Sequence, residues 1–210
     1  VTTLTLDLLR HGDAEGSGCY RGRTDVPLTP LGWQQMQAYA SRNPGWQCIW
    51  HSPLQRCAVP ALRIAQALQL ECRADDRLQE LDFGAWDGRP YAEVWQQEQA
   101  AVMAFWQDPD AGPPPGGETL AAFCARLQAL ENQLLAHAGS AQDSGHLLLL
   151  THGGVIRGLL GRHLGLAANK WSQLRIDTGS LSRLKIGYDR RHRWCELSFM
   201  NRQPGLESFG

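Results

Sequence analysis

Two segments far apart in the chain end alike: Leu8-Leu9-Arg10-His11-Gly12 and Leu149-Leu150-Thr151-His152-Gly153. Each reads as an apolar strand that stops at a histidine followed by a glycine. In open α/β sheets ligands bind outside the carboxyl ends of the strands, so both imidazoles are expected on one rim. The glycines remove a Cβ and would let backbone N–H groups approach an anion closely. A helix starting soon after His152 adds its positive end to the same place. Either histidine alone would carry little, since a lone histidine at a strand end is commonly structural. The matched pair is the signal. A third segment, His51-Ser52-Pro53-Leu54-Gln55-Arg56, is expected to end at that edge too, with Ser52 capping a helix and Arg56 near its first turn. Arg10 and Arg56 would then form a pair of guanidiniums, whose planar forks suit phosphate oxygens.

The chemistry these residues imply is phosphoryl transfer. An imidazole attacks phosphorus only when neutral, and two adjacent cations disfavour a third, so they should lower the pKa of His11. The same cations would hold the phosphoryl oxygens and stabilise transition-state charge. A leaving alkoxide needs a proton. Glu80, beside Phe83-Gly84-Ala85-Trp86, is the candidate donor, because aromatic surroundings are expected to keep it protonated, with Asp82, Asp87 and Glu118 as competitors. Although His11, His152 and Glu80 could in principle ligate zinc, no His-Glu-x-x-His motif is present and two guanidiniums would oppose a divalent ion. The expectation is therefore no metal and no cofactor. His51 sits near the rim with a structural role expected, and His137, His146, His163 and His192 are expected to be solvated.

Elements that could position this set follow from pattern. Thr3–Leu9 reads as a strand, a Gly/Arg-rich loop follows, and Thr29-Pro30 starts a helix over Leu31–Arg42 that Asn43-Pro44-Gly45 stops. Trp46–Trp50 is a short strand and Leu54–Leu70 a helix that Pro60 should kink or interrupt. Asp75–Asp87 is turn-rich, Tyr91–Trp106 helical, Asp108–Gly117 a Pro/Gly loop, and Glu118–Ala138 a long helix before a polar loop at Ser140–Gly145. Leu147–Leu150 is apolar without alternation, as in a strand buried on both faces. Val155–Leu166 reads as a helix, and Gly179–Tyr188 with Trp194–Phe199 as two closing strands. Alternating strands and helices predict an α/β fold, a three-layer α/β/α sandwich with a mainly parallel central sheet.

A chain of 210 residues suits one core, so residues 1–210 are expected to form a single domain. With net charge −1 and 20% charged residues, no global field would draw it to nucleic acid or an anionic membrane. Anion affinity must then be local. No apolar run approaches the ~20 residues that span a bilayer, and Val1–Leu9 lacks a basic head and small-residue cleavage site. Six scattered cysteines without Cys-x-x-Cys spacing fit reduced thiols, hence a cytoplasmic location. The expected partner is a small-molecule phosphate monoester, and the sequence is silent on oligomeric state.

As a set these residues resemble the histidine phosphatase superfamily, which includes the cofactor-dependent phosphoglycerate mutases. The resemblance runs from Leu9-Arg10-His11-Gly12 through Asp25-Val26-Pro27-Leu28-Thr29-Pro30-Leu31-Gly32, Ser52-Pro53-Leu54-Gln55-Arg56 and Leu78-Gln79-Glu80-Leu81-Asp82-Phe83-Gly84-Ala85-Trp86-Asp87-Gly88 to Pro115-Gly116-Gly117-Glu118-Thr119 and Thr151-His152-Gly153-Gly154. It implies a phosphorylated His11, a phosphate pocket of Arg10, Arg56 and His152 with an N–H from Gly153, and proton transfer by Glu80. It also implies that Gly22 lies near substrate and that residues 86–118 form a helical and loop insertion over the site. Arg21 and Arg23 are candidates for a second polar or anionic part of the substrate. Within the superfamily, Cys19-Tyr20-Arg21-Gly22-Arg23-Thr24-Asp25, Phe105-Trp106-Gln107-Asp108-Pro109 and Pro113-Pro114-Pro115-Gly116-Gly117-Glu118 are most similar to the α-ribazole phosphatases, which remove a 5′-phosphate from a nucleotide-loop precursor of cobalamin. Mutases carry Thr-Gly-Trp where this chain has Arg21-Gly22-Arg23, and a longer insertion, so phosphate release is favoured over mutase transfer; a broad-specificity small-molecule phosphatase is the alternative, and retention of the five presumed pocket residues speaks against a non-catalytic binding module.

Overall fold

The computed structural model describes residues 2–139, 144–188 and 193–204. Six strands form one sheet: β1 (Thr2–Arg10), β2 (Cys48–His51), β3 (Glu71–Ala74), β4 (Ser144–Thr151), β5 (Leu181–Tyr188) and β6 (Arg193–Arg202). Their order is β3-β2-β4-β1-β5-β6. β3, β2, β4 and β1 run parallel, while β5 is antiparallel to β1 and β6 to β5. The mainly parallel sheet expected from sequence is therefore present. β2, β4 and β1 are neighbours, and His51 pairs with Leu150, which pairs with Leu9. Three strands thus release their next residues at one level of one edge.

Helices cover both faces. On one, α4 (Leu120–Gly139) and α5 (Gly153–His163) bury Phe123, Leu127, Leu130, Leu134, Ile156 and Leu160 against Leu4, Leu6, Leu8, Leu147 and Leu149. On the other, α1 (Pro30–Gln37) and α2 (Gln55–Leu68) bury Met36, Cys57, Ala61 and Ile64 against Leu9, Leu148 and Leu150. Successive leucines of β4 divide between the two clusters, which is why the run shows no polar alternation. A satellite cluster joins Tyr20 and Trp86 to Val94, Val102 and Phe105 of α3 (Tyr91–Gln107).

Several expectations are corrected. α1 ends at Gln37 rather than Arg42, because Tyr39 turns inward, buried, and donates its hydroxyl to the Gly179 carbonyl at 2.7 Å. Pro60 does not interrupt α2; it lies in the second turn on the buried face, and only the Arg56 carbonyl forfeits a helical partner. β3 escaped the sequence reading since Glu71-Cys72-Arg73-Ala74 is a half-exposed edge strand without apolar alternation. Tyr91–Gln107 is broken at Glu98 (φ −135°, ψ 33°), whose carboxylate accepts the Trp86 indole N–H at 2.8 Å and pairs with Arg89 at 2.7 Å. His146 and His163 are not solvated: each reaches a buried carboxylate, Asp7 at 3.0 Å and Glu131 at 2.6 Å. His137 packs against Trp50, and His192 lies outside the described residues.

Candidate active site

His11 follows β1 immediately. Its backbone is gripped on both sides, the N–H donating to Thr151 at 2.9 Å and the carbonyl accepting from Gly179 at 3.0 Å. Its side chain is 4% exposed and Nδ1 meets the Gly12 carbonyl at 2.7 Å, so Nδ1 carries the hydrogen and Nε2 keeps its lone pair. Gly12 itself faces α1, since a Cβ there would collide with the Gly32 backbone. That glycine is required by helix approach, not by an anion.

His152 follows β4 immediately as the N-cap of α5, and its ring centroid lies 5.1 Å from that of His11. Its two nitrogens face internal partners: Nδ1 receives the Arg56 Nε–H at 3.3 Å, and Nε2 lies 2.8 Å from Ser52 Oγ. Ser52 is fully buried and is not the N-cap of α2, which is Leu54; its hydroxyl accepts the Leu54 N–H at 3.3 Å and also holds His152. Sequence reading missed that role because the partner is 100 residues away.

Arg56 is the second residue of α2 and has no exposed surface. Besides His152, it donates to the carbonyls of Thr24 and Gly22, each at 2.8 Å. Three of its five N–H groups are thus committed, leaving one on each terminal nitrogen. Gly22, Arg23 and Thr24 also give three successive backbone N–H groups to the Asp87 carboxylate at 2.7–2.8 Å. The 22–24 loop is therefore clamped between a guanidinium and a carboxylate, and Asp87, weighed above as an acid, is its anchor.

Arg10 donates through Nη1 to the Ile176 carbonyl at 2.7 Å, while its buried Nε has no hydrogen-bond partner among the described residues. A Cβ on Gly153 would sit 3.4 Å from that Nε and 3.0 Å from Arg157 Nη1, so the glycine makes room for two guanidiniums. Arg157, one turn into α5, was not singled out by sequence, although its i+4 spacing from Gly153 was the available signal. Glu80 accepts from Leu81 N–H and Gly154 N–H, both at 2.9 Å. Its carboxyl is thus gripped by two main-chain donors, one from its own loop and one from the first turn of α5. Arg126 of α4, also missed, donates to the carbonyls of Arg77, Gln79 and Glu80 and forks onto Glu118 at 2.7 and 2.9 Å. It staples the Glu80 loop and occupies the competing Glu118 carboxylate.

Arg10, His11, Arg21, Glu80, Gly153 and Arg157 line one cavity of about 690 Å³. Arg56 and His152 lie buried behind that wall. Arg23 does not line it, and its guanidinium bonds Gln79 instead. Of the two loop arginines, only Arg21 faces the cavity.

Both imidazoles are held well below the ordinary histidine pKa, first by burial and then by nearby cations, Arg10 and Arg56 for His11 and Arg56 for His152. Sequence reasoning had the direction from the arginines, but burial is the larger cause. Unfolded histidines take protons below about pH 6.5, whereas these two stay neutral, so the unfolded state binds more protons there. We expect stability to fall as pH drops through 6.5 and imidazole NMR signals of His11 and His152 to stay neutral at pH 6. An imidazolium signal from His11 at pH 6 would contradict this electrostatic reading.

A sequence model described as histidine phosphatase superfamily, branch 1, matches residues 6–197. A bifunctional protein of Mycobacterium tuberculosis is 33% identical over 186 residues, which cover 86% of this chain and 50% of that protein, so the chain spans about half its length. A protein of Proteus mirabilis named "probable phosphoglycerate mutase" is 35% identical over 185 residues, 86% of this chain and 84% of that one. The solved structure of the alpha-ribazole phosphatase from Shigella flexneri matches with TM-score 0.80 at 26% identity, over 97% of this chain and all of that one.

Proposed function

The chain belongs to the histidine phosphatase superfamily, and from that premise we propose that it is a phosphomonoesterase working through a phosphohistidine at His11. The observation that carries this reading is the convergence at one rim of a neutral imidazole with a free Nε2 lone pair and the Arg10 guanidinium, with the unspent N–H groups of Arg56 buried directly behind them. Nε2 attacks phosphorus, a P–N bond forms, and the P–O bond to the leaving alkoxide breaks. Arg10 and Arg56 hold the phosphoryl oxygens, with Gly153 at the helix N-terminus beside them. His152, itself held by Ser52, fixes the Arg56 fork. Glu80 gives the alkoxide its proton. Water then attacks the phosphohistidine, Glu80 takes the proton back, and inorganic phosphate leaves.

The substrate we favour is α-ribazole 5′-phosphate, from a nucleotide-loop step of cobalamin assembly in the cytoplasm. Support comes from the Cys19–Asp25 loop, which sets Arg21 on the cavity and is anchored at Gly22 by Asp87, and from the similarity to an alpha-ribazole phosphatase. In the same reading residues 86–118 cover the site, since Tyr91, Phe105, Trp106 and Pro109 line the cavity.

Chelator-treated enzyme is expected to release phosphate from an aryl phosphate, and among α-ribazole 5′-phosphate, nucleotides, sugar phosphates and phosphoglycerates the first should have the highest kcat/KM. Transfer between phosphoglycerates without net release would reverse the assignment to hydrolysis. A broad, flat profile would leave a general small-molecule phosphatase.

A further inference from the structure

Beyond the phosphate-binding end, the cavity is far larger than a phosphate requires, and its remaining wall carries seven aromatic side chains among polar and aliphatic ones. α5 explains part of that wall. Gly154, Gly158 and Gly161 recur at i, i+4 and i+7, on one stripe of the helix. Each is a residue that weakens a helix interior, and each lies where a particular side chain needs the space of its Cβ. At Gly154 that side chain is Glu80. At Gly158 it is Phe123, whose Cε1 would lie 2.6 Å from the added atom, and at Gly161 it is the Trp171 indole.

The helix rise turns this into a ruler. Phe123 and Trp171 stand about 6 and about 10 Å along the axis from the Glu80 contact. A phosphorylated pentose bearing a ring base bridges such a spacing. Trp171 is also fixed edgewise, its indole N–H donating to the Leu166 carbonyl at 3.0 Å. From α3, Trp106 lines the same cavity and packs edge-on against Phe105 at 4.9 Å. Asn169 donates to the Gln107 carbonyl at 3.2 Å, tying the Trp171 segment to the end of α3. That bond engages the Asn169 amide. A planar ring placed here would find indole and phenyl groups to stack on.

We propose that Trp171, seated on Gly161, with Trp106 as second ring, forms the platform that selects leaving groups carrying a planar heteroaromatic ring. This rests on the phosphomonoesterase reading and extends it to a specificity residue.

The test compares esters with one kind of leaving group. α-Ribazole 5′-phosphate, adenosine 5′-monophosphate, ribose 5-phosphate and glucose 6-phosphate all expel a primary alkoxide, so differences in kcat/KM report contacts beyond the reacting bond. We expect the ring-bearing esters to exceed ribose 5-phosphate by about ten-fold or more, and Trp171→Ala to bring that ratio close to one. Because it is a ratio, partial misfolding of the variant cancels, and Trp106→Ala provides a second variant with a smaller expected drop. Equal rates for ring-bearing and ring-free esters, or a ratio unchanged in both variants, would overturn the platform. A preference for adenosine 5′-monophosphate that Trp171→Ala abolishes would keep the platform and dismiss α-ribazole as substrate. Phosphate release from an aryl phosphate, measured alongside, tests the phosphatase reading separately.

Discussion

His11→Ala is expected to lower kcat/KM on an aryl phosphate by a factor on the order of 10⁴ or more, with the fold retained. The backbone bonds of residue 11, to Thr151 and from Gly179, do not depend on its side chain, and the imidazole's hydrogen bond is to the adjacent Gly12 carbonyl. Truncation therefore removes the nucleophile without stranding a distant partner. Arg56→Ala would be a poorer test. It would leave the Gly22 and Thr24 carbonyls and His152 Nδ1 without their donor inside the protein, so lost activity would mix lost chemistry with a loosened loop. Phosphate release, circular dichroism and a thermal melt on wild type and His11→Ala decide the matter. Activity within ten-fold of wild type in a folded variant would move the nucleophile elsewhere.

The pair of histidines was legible in sequence because β1 and β4 end in the same pattern, and a parallel sheet delivers such ends to one rim. Arg56 was legible for the same reason, as its helix follows the neighbouring strand β2. What was hidden depends on partners that only folding brings together. Asp87 reads as one of several carboxylates until three successive N–H groups of residues 22–24 converge on it. Ser52 reads as a helix cap until β4 places His152 at 2.8 Å. Arg126 is an unremarkable residue of a long helix, yet it closes on three carbonyls of the Glu80 loop. Gly158 and Gly161, like the spacing of Arg157 from Gly153, were overlooked local signals. Glycines inside a helix call for a packing reason, and here they seat Phe123 and Trp171.

Glu80→Gln separates the two steps assigned to one carboxyl. An aryl leaving group departs as a stable phenolate, so the first step needs little help from an acid, whereas an alkyl phosphate must protonate its alkoxide. The second step is common to both, because water must lose a proton as it attacks the phosphohistidine. Glutamine performs neither transfer. On an alkyl phosphate, kcat/KM should fall by roughly 10²–10⁴-fold. On an aryl phosphate the first step should survive and the second stall, giving a burst of phenolate equal to the enzyme and an accumulated phosphoenzyme, labile to acid and stable to alkali. The carboxylates that could substitute are occupied: Asp82 by Gly84 N–H at 2.8 Å, Asp87 by the 22–24 loop, and Glu118 by Arg126. Glutamine also disturbs one of the two backbone bonds that Glu80 accepts, since its amide NH₂ cannot accept a bond from Leu81 or Gly154. A displaced loop would slow both esters alike, however, and would produce no burst. Rapid-quench kinetics on the two esters therefore distinguish lost proton transfer from lost positioning. Equal losses without phosphoenzyme would remove Glu80 from the chemistry.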